Sequence, residues 1–145
     1  MNEPYPLDHE RLDVYRLAVE FVAWVGELID NGPLKGCKIS AVKHLDDSSR
    51  SILNNIAEGN GKRSRPDRCR FLDISRGAAL GCASCLDVLV ARKRLQLDVV
   101  DTGKAMVVRI VSMLSKLIER LLGDGSLSEQ LAPSPSKRSR RIRPA

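Results

Sequence analysis

The sequence predicts an all-α protein, an antiparallel four-helix bundle with a disordered basic C-terminal tail, and three observations support this fold class. Four long stretches repeat apolar residues at intervals of three and four, the spacing of one helix face. No stretch shows the apolar–polar alternation of a half-buried strand. The 145 residues suit one domain, and with 3% aromatics its core must be aliphatic. We therefore expect an N-terminal lead over 1–7, the bundle over 8–123 and the tail over 124–145.

The first predicted helix runs from an N-cap at Asp8 to about Asp30. Aspartate is a favoured N-cap residue, and the Asn-Gly-Pro at 31–33 is a strong stop signal. The apolar face of this helix comprises Val14, Leu17, Ala18, Phe21, Val22, Val25, Leu28 and Ile29. A loop over 32–39 follows, and Ser40 is expected to cap the second helix.

The second predicted helix carries two rows of residues on neighbouring faces. One row is mostly apolar and comprises Val42, Leu45, Ser49, Ile52, Ile56 and Gly59. The adjacent row is polar and comprises Ser48, Ser51, Asn55, Glu58 and Lys62. Polar groups beside a packed face are costly unless they find partners. The polar row therefore either bonds a neighbouring helix or shapes a functional surface, and both interpretations remain open.

The third predicted helix begins after Ser64, which can cap it, with Pro66 in the first turn and Asp67 at the capping-box position. We expect this helix to reach Arg92 or beyond. Its middle is rich in small residues, namely Gly77, Ala78, Ala79, Gly81, Cys82, Ala83 and Ser84. Each helical glycine costs about 1 kcal/mol relative to alanine, a cost that only tertiary packing would offset.

The fourth predicted helix follows a turn over 95–101 and ends at Gly123, a suitable C′ residue. Its apolar residues are Val107, Val108, Ile110, Val111, Met113, Leu114, Leu117, Ile118, Leu121 and Leu122. They span roughly 220 degrees of the helical wheel, about twice the stripe of an ordinary surface helix. We infer self-association, with part of this helix at a subunit interface. The alternative is an unusually central helix within one chain.

Several motifs that could carry chemistry fail on inspection. Gly59-Asn60-Gly61-Lys62 is not a phosphate loop, because Arg63 stands where such a loop needs serine or threonine. Cys82 and Cys85 have CxxC spacing but lie inside a predicted apolar helix without further ligands, which favours packing over a metal site. His44 has no nucleophile spaced to join it. We expect no catalytic residues, no metal site and no cofactor.

Composition also bears on location. Four cysteines without a signal peptide indicate reduced thiols in the cytoplasm. No run of about 18 apolar residues is present, so we expect no membrane contact.

The positive charge of the chain is concentrated locally. Of the 24 basic residues, five lie in 133–145, a segment without acidic residues, and the other 19 nearly balance the 18 acidic residues. The tail cations are Lys137, Arg138, Arg140, Arg141 and Arg143. They would add non-specific phosphate affinity or act as an electrostatic tether.

A second basic cluster spans the end of the second helix and the start of the third. It comprises Lys62, Arg63, Arg65, Arg68 and Arg70, with Arg76 further along, and Arg92-Lys93-Arg94 closes the far end. Such cations can neutralise phosphates, whereas the alternative is a solvated helix end with arginines paired to Asp67 and Asp73. With few aromatics to stack bases, binding is expected to depend on phosphates and on salt.

Three motifs resemble the bacterial four-helix-bundle family called 23S-ribosomal-RNA intervening-sequence proteins, or S23 ribosomal proteins. The family run Ser-Ile-x-x-Asn-Ile-Ala-Glu-Gly-x-Gly-[Arg/Lys] is matched by Ser51, Ile52, Asn55, Ile56, Ala57, Glu58, Gly59, Gly61 and Lys62. The block Phe-Leu-x-Ile-[Ala/Ser]-Arg-Gly is matched by Phe71, Leu72, Ile74, Ser75, Arg76 and Gly77. The early Leu-x-Val-Tyr is matched by Leu12, Val14 and Tyr15.

This resemblance implies a homopentameric ring, similar in fold to the accessory variability protein of diversity-generating retroelements, which binds nucleic acid and partners a reverse transcriptase. The chain departs from the pattern where Ala78 and Gly81 replace a serine and a glutamate, and where Asp46 and Asp47 replace basic residues.

We therefore expect a non-catalytic homo-oligomer that binds RNA or DNA through phosphates. The alternative is a protein-interaction scaffold with no direct nucleic-acid role.

Overall fold

The computed structural model describes residues 8–123, and over this range the fold is the predicted all-α bundle. A short 3-10 helix, Asp8–Arg11, precedes four α-helices: α1 Asp13–Asp30, α2 Ser40–Asn60, α3 Arg65–Ala91 and α4 Leu97–Leu121. No strand occurs within the described range. The expected lead over 1–7 and the expected tail over 124–145 lie outside it.

Contacts between successive helices give an antiparallel arrangement. Each helix packs against its neighbours in chain order, and α1 also packs against α4, which closes the ring of four. The α2–α3 interface is the largest of these. Ser75 of α3 donates a 2.7 Å hydrogen bond to the Ile52 carbonyl of α2, while Gly59, further along α2, lies beside Phe71, earlier in α3. The two helices therefore run in opposite directions.

The core is aliphatic, as predicted from the composition. The apolar row of α2 is buried in full, and six of the eight α1 residues expected to face inward are buried. The other two, Val22 and Ile29, are partly buried. Phe21 is fully buried, and its ring stacks on that of Trp24 at 5.8 Å between centroids.

Some predicted helix boundaries were wrong. The first α-helix starts at Asp13 rather than after Asp8, because Leu12 has an extended backbone that separates it from the 3-10 turn. Ser40 is the first residue of α2 rather than its cap, and its side chain forms no capping bond. The third helix ends at Ala91, one residue short of the expected Arg92.

The turn before α4 is also shorter than predicted. We expected it over 95–101, but α4 starts at Leu97. Leu95 and Val100 are both buried and fix the chain on each side of this start. Leu97 itself is 67% exposed. The start of α4 is therefore fixed by the packing of Leu95 and Val100 and not by the packing of Leu97.

The wide apolar arc of α4 is only partly covered within the chain. Val107, Ile110 and Leu114 are buried, Val108 is 67% exposed, and the other six apolar positions are partly buried. α4 packs against α1 and α3, as each helix of the ring packs against two neighbours. Self-association through this arc and an unusually central helix both stay predictions.

One helix is long and apolar enough to be considered as a membrane-spanning helix. Within residues 8–123, α3 alone has the length and hydropathy to cross a bilayer, and 28% of its most apolar window is buried in the bundle. The sequence criterion of an uninterrupted apolar run missed this helix. Core helices of soluble proteins satisfy the same length and hydropathy test, so the absence of membrane contact stays a prediction.

Candidate functional site

The turn between α2 and α3 places several cations at one end of the bundle. Ser64 caps α3 by accepting a 3.2 Å hydrogen bond from the backbone N–H of Asp67, as the sequence predicted. Pro66 occupies the first turn, where its missing N–H costs nothing. Lys62, Arg63 and Arg65 on either side of this cap are exposed. We call this region the basic end.

Two of the six cations singled out in the sequence are paired with acids on their own helix. Arg70 contacts the carboxylate of Asp67 at 2.6 Å, and Arg76 lies 3.9 Å from that of Asp73. All four side chains of these pairs are at least 41% exposed. Such surface pairs contribute little to stability and exchange readily for other anions.

The other four cations have no carboxylate partner within the described part of the chain. The Lys62 ammonium lies over the Phe71 ring, 4.8 Å from its centroid. Nε of Arg68 donates a 2.7 Å hydrogen bond to the Lys62 carbonyl, which orients its guanidinium. Arg63 and Arg65 extend into solvent. This end of the molecule therefore carries positive charge that local acids do not neutralise.

The structure adds two cations that the sequence reasoning missed. Because α4 is antiparallel to α3, its last turns lie beside the first turns of α3. Arg120 and Arg68 consequently line the same cavity, and Lys116 lines an adjoining one. The available signal was the predicted up-and-down topology, which requires the C-terminus of α4 and the N-terminus of α3 to share an end.

Two other parts of the predicted basic surface lie away from this end. Arg92, Lys93 and Arg94 follow the last residue of α3, a helix of 27 residues. At 1.5 Å per residue they are about 40 Å from its start. Arg76 lies partway along α3, and its Nε is buried without a hydrogen-bond partner among the described residues. The tail cations Lys137, Arg138, Arg140, Arg141 and Arg143 lie outside the described residues.

The polar row of α2 is largely structural. The side-chain amide of Asn55 donates to the Ser51 hydroxyl at 3.0 Å and to the Ser51 carbonyl at 2.8 Å. Gly59 is buried where a Cβ atom would come within 2.8 Å of the Phe71 Cβ. Gly61 closes the helix, and Glu58 is exposed. Of the motif residues, Glu58 and Lys62 project charged groups from the basic end.

The cysteines lie in or beside the core. All four are free thiols, and Cys82 is fully buried. Burial raises the pKa of the Cys82 thiol to about 12, with the neighbouring Cys85 adding to the shift. A thiol with so high a pKa is a poor metal ligand and nucleophile. Within residues 8–123, no group of three histidine, cysteine or acidic side chains could hold a metal ion.

A face of α3, with one residue of α4, leaves large apolar side chains uncovered. Ile74 is 54% exposed, Leu80 is 50% exposed and Val108 of α4 is 67% exposed. Gly77 and Gly81 belong to the same stretch of α3, and a Cβ atom added at either position would meet nothing within 4 Å. Packing within the chain therefore does not explain these two glycines. We call these five residues the open α3 face.

Two comparisons bear on what this architecture is. A family model described as 23S rRNA-intervening sequence protein matches residues 10–116. A crystal structure of a protein of unknown function, from the S23 ribosomal protein family of Bacteroides thetaiotaomicron VPI-5482, matches with a TM-score of 0.68. The two chains are 21% identical, and the match covers 73% of this chain and 98% of that one, a likeness that shows the fold alone. Among curated proteins, none matches significantly in sequence.

Proposed function

The chain belongs to the 23S rRNA-intervening sequence protein family, and from this premise we propose that it is a non-catalytic, homo-oligomeric bundle that binds nucleic acid through phosphate contacts. The family description and the name of the structural neighbour specify no catalytic activity. The resemblance to the accessory variability protein extends the proposal to a pentameric ring, a reverse transcriptase as partner and a cytoplasmic location.

The observation that carries the proposal is the unneutralised charge of the basic end. Lys62, Arg63, Arg65 and Arg68 have no carboxylate partner in the described range, and Arg120 joins them from α4. Guanidinium groups match phosphate oxygens in a bidentate geometry, and release of condensed counterions supplies the affinity. Outside 133–145 the chain holds 19 basic and 18 acidic residues with this end included, so its unpaired cations make this end the place where a polyanion is attracted.

Self-association is supported by the open α3 face. Exposed Ile74, Leu80 and Val108 are the kind of apolar surface that marks an interaction site. Gly77 and Gly81 lower the stability of α3, and neither makes room for a neighbour among residues 8–123. A second copy that packs closely on this face would offset that cost. Symmetric copies would also repeat the basic end and add their electrostatic fields.

Titration of duplex and single-stranded RNA and DNA at two salt concentrations tests nucleic-acid binding. We expect binding at low salt that weakens steeply at higher salt. R63A/R65A should weaken binding about tenfold or more, because each lost phosphate contact removes counterion release. R92A/R94A, with the same change in charge at the opposite end, is the matched control and should bind like wild type. The proposal fails if wild type does not bind at low salt or if the two double variants weaken binding equally.

A second candidate function is a protein-interaction scaffold, and the same open α3 face favours it. In that case the face binds a different protein, and the cations serve only solubility. Two measurements separate these functions. A scaffold keeps its protein partner after nuclease treatment and loses that partner in the L80D/V108D variant. The favoured function instead predicts that L80D/V108D forms a smaller particle in light scattering.

A further inference from the structure

A small apolar cavity lies at the basic end of the bundle. Its volume is about 210 Å³, and its walls are largely leucine side chains from three parts of the chain: Leu12, Leu72, Leu117 and Leu121. The backbone of Gly59 forms another part of the wall. Drug-sized ligands occupy cavities of about 300–1,000 Å³. This cavity therefore suits a smaller, flat or compact apolar group.

The polar groups of the cavity are cationic or neutral. Arg68 and Arg120 reach it from α3 and α4, Asn60 reaches it from α2, and none of the described residues that line it is acidic. Because Nε of Arg68 is held by the Lys62 carbonyl at 2.7 Å, the guanidinium is positioned before any ligand arrives. Its two terminal nitrogens remain available as donors. Apolar walls beside two guanidiniums fit a ligand that carries a flat, weakly polar face a short distance from an anionic group.

A nucleotide has this combination, and the cavity is continuous with the cations proposed to hold phosphates. We propose that it accepts the base of an unpaired nucleotide, while Arg68 and Arg120 hold the adjoining phosphate. This inference rests on the proposed function and deepens it. A base inside a duplex is stacked and inaccessible, whereas an unpaired end or bulge can leave the stack at low cost. The protein would thus prefer nucleic acid with unpaired nucleotides.

The lining residues also determine how well the cavity can distinguish one base from another. None of the lining residues within 8–123 is aromatic, so a base would be held there by aliphatic contact rather than by ring stacking. Asn60 is the one neutral side chain with hydrogen-bonding groups among its lining residues. We therefore expect a preference for unpaired over paired nucleotides with little discrimination among the four bases.

The test uses the full chain and two loop-free RNA duplexes with equal numbers of phosphates, one blunt and one with two unpaired 3′ nucleotides. A 2-aminopurine at the unpaired position reports its environment. We expect the overhang to bind about tenfold more tightly, as expected when roughly 50 Å² of base surface is removed from water, with a change in 2-aminopurine fluorescence on binding. Equal affinity for the two duplexes would overturn this inference and leave the proposed function standing. No binding to either would overturn both.

Substitutions test whether the cavity causes the preference for unpaired nucleotides. L117F fills the cavity from α4 and should bring the affinity ratio of the two duplexes close to one. V19F adds the same ring at an exposed position of α1, where Val19 is 44% exposed, and should keep the wild-type ratio. R120Q tests the phosphate contact without changing the walls, and should also lower the ratio. A wild-type ratio in R120Q, or in L117F with an unchanged melting temperature, would overturn the assignment.

Discussion

At the scale of single residues, the glycines differ in how close an added Cβ atom would come to neighbouring atoms. Gly59 faces the Phe71 Cβ, and Gly103 faces the indole ring of Trp24, so both are required by contact between helices. Gly61 has only ordinary van der Waals neighbours at 3.5 Å and beyond. The sequence marks Gly59 and Gly61 alike as parts of one motif. It does not show which of them sets the distance between α2 and α3.

We predict that G59A destabilises the protein and that G61A does not. In G59A the new methyl group overlaps Phe71, and overpacking of this kind costs about 1–3 kcal/mol. In G61A the backbone angle φ of −83° is one that alanine adopts freely, so the free energy of unfolding should stay within about 0.5 kcal/mol of wild type. Chemical denaturation of both variants measures the difference. Equal stabilities would show that the α2–α3 contact adjusts to the added atom.

Lys93 is a second residue whose role the sequence hides. It is the one non-glycine with positive φ among the described residues, at 60°, and it follows the α3 C-cap. The Arg94 N–H donates to the Leu89 carbonyl at 2.8 Å and the Lys93 N–H to the Val90 carbonyl at 2.9 Å, the two bonds of a Schellman motif. Glycine is the residue that this position normally prefers.

We predict that K93G stabilises the protein by about 1 kcal/mol, because a left-handed conformation costs a non-glycine residue about 1–2 kcal/mol and glycine almost nothing. Thermal melting measures the gain. R92G, one residue earlier at φ −90°, should give no such gain and serves as the control. A lower melting temperature for K93G would mean that the lysine side chain stabilises the turn by contacts that outweigh the backbone effect.

At the scale of elements, apolar spacing predicted every helix and the inward faces of α1 and α2. It did not predict boundaries where tertiary contacts override local signals. Asp8 is a good cap by type, yet α1 begins at Asp13 because Leu12 adopts an extended backbone and packs against the core. The arc of α4 could not be interpreted from one helix, since the number of neighbouring helices decides how much of it is covered.

The open α3 face gives a prediction at this scale. G77A/G81A should raise the stability of the isolated chain by up to about 2 kcal/mol, because each alanine favours the helix by about 1 kcal/mol and meets no neighbour. If copies pack on this face, the added methyl groups should also weaken self-association. Light scattering over a dilution series measures the second effect, and denaturation of the dilute chain measures the first.

G103A is the matched control for this variant. It is also a glycine-to-alanine change within a helix, but its Cβ would overlap the Trp24 ring, so it should destabilise the chain. A G77A/G81A variant that assembles as wild type would remove the argument for a partner on the open α3 face, whatever its stability.

At the scale of the whole molecule, topology decides which charges act together. The sequence places Lys62 to Arg70 in one cluster, and this part of the candidate site could be predicted from it. It could not show that Arg120, fifty residues later, shares a cavity with Arg68, because that proximity follows from the antiparallel packing of α4. The same packing separates Arg92 to Arg94 from the basic end by the length of α3.

The division of phosphate binding between bundle and tail is the prediction that belongs to the whole chain. Residues 133–145 hold five cations and no acid. If they contact phosphates, deleting them should make the plot of log affinity against log salt shallower by up to about 4.5, at close to 0.9 per phosphate neutralised on duplex DNA. The slope that remains belongs to the bundle, and R63A/R65A should reduce it further.

An unchanged slope after the deletion would remove the tail from the binding surface. Loss of all low-salt binding would instead assign the entire interaction to the tail, and the basic end would then be a solvated helix terminus.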